Sequence, residues 1–144
     1  MLESFKVCYH GTTTLQHFKM MESQGIQLDY SATATDYGQG FYVTTNLKQA
    51  ELWAARKATK ERFEHLRKNR STDPTVVKSL IQPIVLIYAL DYKGLSLLKG
   101  KKFESPGPEW ADFIMSNRLA PIRYTELTYD YAVGPVADGD VYRT

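Results

Sequence analysis

The sequence predicts an α+β fold, a single domain over residues 1–144. Three observations carry that reading: strand-like alternation near both ends of the chain, helical apolar spacing between them, and no internal repeat or linker. The chain has 144 residues, 43% hydrophobic and 24% charged. A domain of that size buries roughly 70% of its unfolded surface on folding. The 9 Gly and 6 Pro follow no period, which excludes a collagen-like or low-complexity chain, and the low-hydrophobicity, high-charge signature of disorder is absent.

Phe5, Val7 and Tyr9 alternate with Lys6, Cys8 and His10, which predicts a first strand ending at His10, before Gly11 and a run of threonines. Leu15, Phe18 and Met21 keep helical spacing, so a short helix is expected over 14–24 with Gly25 as its stop. A polar connection over 27–39 follows, and Gly38 and Gly40 deliver the chain into a second short strand, Phe41 to Thr44. Asn46 and Gln49 have capping-box spacing, and Leu47, Ala50, Ala54 and Ala58 form one stripe of the longest helix, which runs into Arg56–Arg70 until Ser71 to Pro74 breaks it. Ile84 to Leu90 reads as a strand buried on both faces and ended by Gly94, with another short strand at Leu95 to Leu98. Pro108 opens a helix whose apolar face is Trp110, Phe113 and Ile114. Leu127, Tyr129, Tyr131 and Val133 alternate with Thr128, Asp130, Ala132 and Gly134, a last strand with one bulky and one small, polar face.

Eighteen Lys and Arg against 16 Asp and Glu leave a net charge of +2, too small to imply a polyanionic partner by itself. The longest apolar run is far shorter than the roughly 20 residues of a membrane helix, and the first residues lack a signal pattern, so neither a membrane partner nor a leader is expected. A single cysteine, Cys8, excludes an internal disulfide, and the three histidines lack ligand spacing. The expectation is a reducing, cytoplasmic compartment and no metal. No Walker loop, dinucleotide fingerprint or serine nucleophile elbow occurs in the chain.

The candidate chemistry falls at four places. His10-Gly11 ends a strand, where imidazole can bond a hydroxyl and glycine lets a flat group approach the backbone. Tyr42 follows Gly40 and Phe41 and points away from Phe41 and Val43, as a stacking ring or as packing at the sheet rim. Glu109 and Asp112 share one side of a first helical turn, where acids also serve the helix dipole. Asp130 sits mid-strand, where an acid needs a partner, either a ligand or an ion pair with Arg118 or Arg123. Seven Lys or Arg between Arg56 and Arg70 against Glu61 and Glu64 form a solvated face with local pairs or a phosphate-binding surface.

With Tyr9-His10-Gly11-Thr12-Thr13, then Asp36-Tyr37-Gly38-Gln39-Gly40-Phe41-Tyr42-Val43-Thr44-Thr45, the chain resembles the ADP-ribosyltransferase superfamily of the His-Tyr-Glu kind, and within it a microbial domain family of unknown function. The similarity continues through Gln49 to Ala54, Glu109 to Ile114 with Asn117-Arg118, and Tyr129 to Asp138, so it covers most of the chain in order. The resemblance implies a split, mixed β-sheet core with flanking helices that holds NAD in a cleft. It implies that His10 contacts the adenosine ribose, that Gly11 bonds the nicotinamide amide through its backbone and that Thr12 adds a ribose contact. Gly40 and Phe41 would complete the cofactor site, and Tyr42 would stack on the nicotinamide ring.

The implied chemistry is cleavage of the nicotinamide–ribose bond, whose oxocarbenium character a carboxylate stabilises. Asp130, on a late strand, is the positional candidate and Asp112 the second; neither is a glutamate. Relatives of this kind continue past the Gly-Pro-Val-Ala-Asp motif, whereas this chain stops at Thr144. The resemblance thus implies that a closing strand is missing, and that a chain whose third catalytic group lay there would be inactive alone, a split subunit, or dependent on a borrowed strand. An edge lacking that strand would favour a second copy or a partner chain that supplies it. The expected activity is ADP-ribose transfer from NAD, as substrate, to a protein or nucleic acid or to water. The alternatives are an NAD- or ADP-ribose-binding module without turnover, and a nucleic-acid-binding protein that uses the basic helix.

Overall fold

The structure, a computed structural model, describes residues 5–23, 40–119 and 129–135. It is an α+β arrangement in two compact units, one formed by Met1–Ile26 and Tyr42–Asp91, the other by Gln27–Phe41 and Tyr92–Thr144.

In the first unit, β1 (Phe5–Thr13) pairs antiparallel with β2 (Pro83–Asp91) from Phe5↔Asp91 to Thr13↔Pro83. The strand thus passes the expected end at His10, because Gly11, Thr12 and Thr13 each meet a partner in the ladder. Thr13 then caps α1 (Thr14–Glu22), its hydroxyl accepting from the Gln16 N–H at 3.2 Å. Of the apolar stripe expected to bury this helix, Leu15 packs against the core, whereas Phe18 and Met21 are exposed. The expected stop at Gly25 and the 27–39 connection lie outside the described residues.

The expected strand over Phe41 to Thr44 is corrected to one β-bridge. Tyr9 N–H donates to Thr44 O at 2.7 Å and Thr44 N–H to Tyr9 O at 2.9 Å, and 41–43 make no ladder. Next comes α2 (Leu47–Lys68), where Asn46 accepts from the Gln49 N–H at 3.1 Å. Gln49 does not complete the box, because its side chain takes the Thr44 hydroxyl while Asn46 N–H donates to that same oxygen. Ala50, Ala54 and Ala58 are buried as expected, and Leu47 is exposed. These small side chains bring the helix backbone onto β1, so that a Cβ on Gly11 would sit 2.1 Å from Ala50 O and 3.0 Å from Ala54 N.

Ser71 to Pro74 does break α2, but Pro74 also starts a further helix, α3 (Pro74–Leu80), capped by the Asp73 carboxylate on Thr75 N–H. Val77 and Ile81 pack with Ala58, and Arg62 Nε donates to Ile81 O at 2.6 Å, satisfying a carbonyl at the end of α3. The reading of Ile84–Leu90 as buried on both faces is wrong. No residue of β2 is fully buried, and Ile87 is 68% exposed.

In the second unit, the strand expected at Leu95–Leu98 is replaced by a short helix, α4 (Tyr92–Ser96), with Gly94 inside it. The strand comes later, at β3 (Gly100–Lys102), which runs parallel to β4 (Tyr131–Val133) with Gly100 opposite Tyr131. Parallel strands need a crossover, and α5 (Pro108–Leu119) occupies that connection. Phe113 and Ile114 are buried as expected, Trp110 is half-buried, and Phe103 and Tyr129 tilt against Phe113 with ring centres 5.2 and 6.2 Å away. Leu127 and Thr128, placed in the last strand by alternation, lie outside the described residues.

Candidate functional site

Backbone alternation along β1 defines the edge at which the candidate residues meet. In an antiparallel strand the N–H and C=O of one residue point to the same side, and those of the next residue to the other. Tyr9 bonds Thr44 through both groups, while Thr14 N–H donates to Gln82 O on the β2 side. Odd residues therefore face away from β2, and both the N–H and the C=O of Gly11 lie on the edge that Tyr9 shares with Thr44. In a continued ladder Tyr42 would stand opposite Gly11. The pairing ends before that, and the chain at Tyr42 is held by a side chain: His10 Nδ1 lies 2.5 Å from Tyr42 O.

A carbonyl only accepts, so Nδ1 carries the hydrogen, and in the neutral ring Nε2 is the acceptor nitrogen. Burial lowers the His10 pKa, with a further push from the Lys57 charge, and the bond to Tyr42 opposes both without reversing them. The ring is neutral at pH 7. Side-chain alternation puts His10 with Cys8 and Thr12 on one face of β1, opposite the face that meets α2. Cys8 and Thr12 are buried, and burial raises the Cys8 pKa, which suits a packed thiol and not a nucleophile.

Lys57 and Glu61 are the residues that sequence reasoning missed. Lys57 Nζ donates to Gly11 O at 2.6 Å, and Thr13 Oγ1 donates to Glu61 Oε2 at 2.7 Å. Glu61, expected to pair locally within the basic run, is thus turned to β1. A signal was present, since 57 and 61 continue the helix face of Ala50, Ala54 and Ala58, where charged residues need partners. Arg62 is likewise drawn from the run onto α3, leaving Arg56, Lys60, Arg67, Lys68 and Arg70 exposed.

His10, Gly11, Thr12 and Tyr42 come together in the first unit, whereas Gly40 and Phe41 belong to the second, as do both candidate acids. The alternation that aimed Tyr42 away from its neighbours does not apply, because 41–43 are not pleated; the residue is half-buried. Asp130 is corrected from mid-strand to the bend before β4, and it is exposed. Its Oδ2 accepts from Lys99 N–H at 2.8 Å and its own N–H donates to Lys99 O at 2.8 Å, so a backbone amide partners it where an arginine was expected. Arg123 lies outside the described residues. Asp112 is exposed on α5, and Glu109 pairs with Lys101 Nζ at 2.7 Å.

Among the described residues no group of three or more His, Cys, Asp or Glu side chains is placed to hold a metal ion, and no helix is long and apolar enough to cross a membrane. Comparison with curated proteins and with solved structures gives no match. A family model, described as protein of unknown function (DUF3990), matches residues 7–144, from the first strand through the last residue. The chain belongs to this family of proteins of unknown function.

Proposed function

We propose that the chain cleaves NAD between nicotinamide and ribose and passes the ADP-ribose to a protein or nucleic acid, or to water. The observation that carries this reading is the β1 edge at His10–Thr12, where pairing with the 42–44 segment stops after one bridge. There a neutral imidazole, an edge-facing glycine peptide and Tyr42 lie together, which suits a ribose hydroxyl beside a flat aromatic amide. The resemblance of the His-Gly-Thr and Gly-Phe-Tyr segments to ADP-ribosyltransferases supports the same reading.

In this reading the C1′–N bond breaks, the electron pair leaves with nicotinamide, and an acceptor O, N or S forms the new bond at C1′ and loses its proton. His10 Nε2 accepts from a ribose hydroxyl, Thr12 adds a ribose contact and Tyr42 stacks on the leaving ring, while a cofactor role for Gly40 and Phe41 rests on the resemblance alone. The resemblance alone, and no geometry between the two units, assigns the carboxylate that stabilises the developing cation, Asp130 first and Asp112 second. Asp130 keeps one oxygen on Lys99 N–H.

The test is NAD labelled on its adenylate half, incubated with the protein with and without cell extract. Macromolecule-bound label supports transfer, and free ADP-ribose with nicotinamide supports hydrolysis. Tyr42→Ala and Asp130→Ala should lower either by about 100-fold or more, the scale of losing an electrostatic stabiliser. A second reading, an NAD-binding module without turnover, draws on the hold of Lys57 on the Gly11 carbonyl, which occupies a group the amide would use. It predicts binding that needs His10 and yields no product. Salt-sensitive nucleic-acid affinity indifferent to His10→Ala would instead favour a role for the basic helix.

A further inference from the structure

Lys57 is exposed as a residue, yet its ammonium is drawn inward to the β1 edge. Among the described residues that ammonium makes one hydrogen bond, to Gly11 O, of the three it can donate. The nearby carboxylate, Glu61, is engaged by the buried Thr13 hydroxyl. Partial burial of the ammonium lowers the Lys57 pKa, Glu61 offsets only part of that, and the Lys57 charge acts on the His10 ring. With Lys57 on its carbonyl, the buried Gly11 peptide sets its edge-facing N–H beside an ammonium, two donors side by side. That pattern matches an oxyanion, so a phosphate oxygen and the nicotinamide amide are alternative occupants of the Gly11 edge. A lysine supplies a point charge with rotatable donors, the kind of contact that phosphate oxygens accept.

We infer that Lys57 and the Gly11 peptide edge form a subsite for the phosphate oxygens of a ligand, next to the His10 ring. The inference needs only the geometry of β1 and α2 and goes beyond the proposed reaction. Lys57 is here a binding residue that donates to the Gly11 carbonyl and offers its remaining donors to the anion.

The test uses the full chain and inorganic pyrophosphate, with calorimetry for affinity and NMR titration of the His10 ring for location. Wild type should bind pyrophosphate. Lys57→Gln should weaken binding about tenfold or more, about 1.4 kcal/mol, whereas Lys60→Gln, an exposed position on the same helix, should leave it within about twofold. Bound pyrophosphate should raise the His10 pKa, because the anion offsets the charge of Lys57. Equal thermal midpoints for wild type and Lys57→Gln show that the variant is folded; if it is not, the His10 shift in wild type alone decides. Absence of binding, equal affinity in a folded Lys57→Gln, or an unmoved His10 titration overturns the subsite. Pyrophosphate binding without nicotinamide release from NAD leaves the subsite standing and removes the enzymatic reading, and the reverse result does the opposite.

Discussion

The two units solve the same packing problem with opposite materials. In the first, a long helix lies on a strand through Ala50, Ala54, Ala58 and Gly11, so backbone meets backbone and little side chain intervenes. In the second, three-residue strands are held by rings: Tyr131 covers Gly100, and Phe103 and Tyr129 tilt against Phe113 beneath a buried Ile114. Close backbone approach brings polar groups of the helix within reach of strand carbonyls and hydroxyls, which is how Lys57 and Glu61 arrive at Gly11 and Thr13. Ring packing keeps polar groups at the rim, as with Lys101 and Glu109. The candidate ligand edge belongs to the unit built on small residues.

The largest expected effect breaks that contrast directly. Gly11→Val should abolish cooperative unfolding of the first unit, exceeding the roughly 1–3 kcal/mol of ordinary overpacking, because the atoms in the way are helix backbone. Gly100→Ala meets a ring edge that can swing aside and should cost only about 1 kcal/mol; equal losses by chemical denaturation would erase the distinction. Ile114→Ala, at 0% exposure, should destabilise the second unit by about 2–5 kcal/mol. A loss below 1 kcal/mol would mean that the ring cluster closes over the cavity.

Acid sharpens the comparison in the first unit. The His10 pKa is lowered in the folded chain, so the unfolded state binds the proton more readily. The stability tied to the neutral ring is present above the unfolded value of about 6.5 and is lost as pH falls through the folded value. Denaturant midpoints between pH 8 and pH 5 should fall less in His10→Gln than in wild type; identical slopes would place the acid sensitivity elsewhere. The smallest effect belongs to the rim of the second unit, where Glu109→Gln removes an exposed pair and should cost less than about 1 kcal/mol, fading with salt.

Much of the fold was legible because local chemistry and tertiary structure agree there. The Asn46 cap, the alanine stripe, the break at Ser71–Pro74 and the helix opening at Pro108 each rest on interactions within a few residues. The errors fall where long-range pairing decides. Gly11 looked like a strand end until β2 supplied Val85 opposite it, and Phe41–Thr44 looked like a strand although only Thr44 finds a partner. Asp130 invited an arginine, and a backbone N–H from a different segment partners it.

The sequence by itself determined the α+β class, the two longest helices and the nomination of His10, Gly11 and Tyr42, because periodicity, caps and glycine placement are properties of neighbouring residues. The tertiary structure decided that pairing of β1 with the 42–44 segment stops after one bridge, that His10 is tied to Tyr42 and that Lys57 stands at the Gly11 carbonyl. These depend on how closely one helix lies on one strand. That distance is set by the absence of side chain at positions far apart in the chain, and no local pattern encodes it.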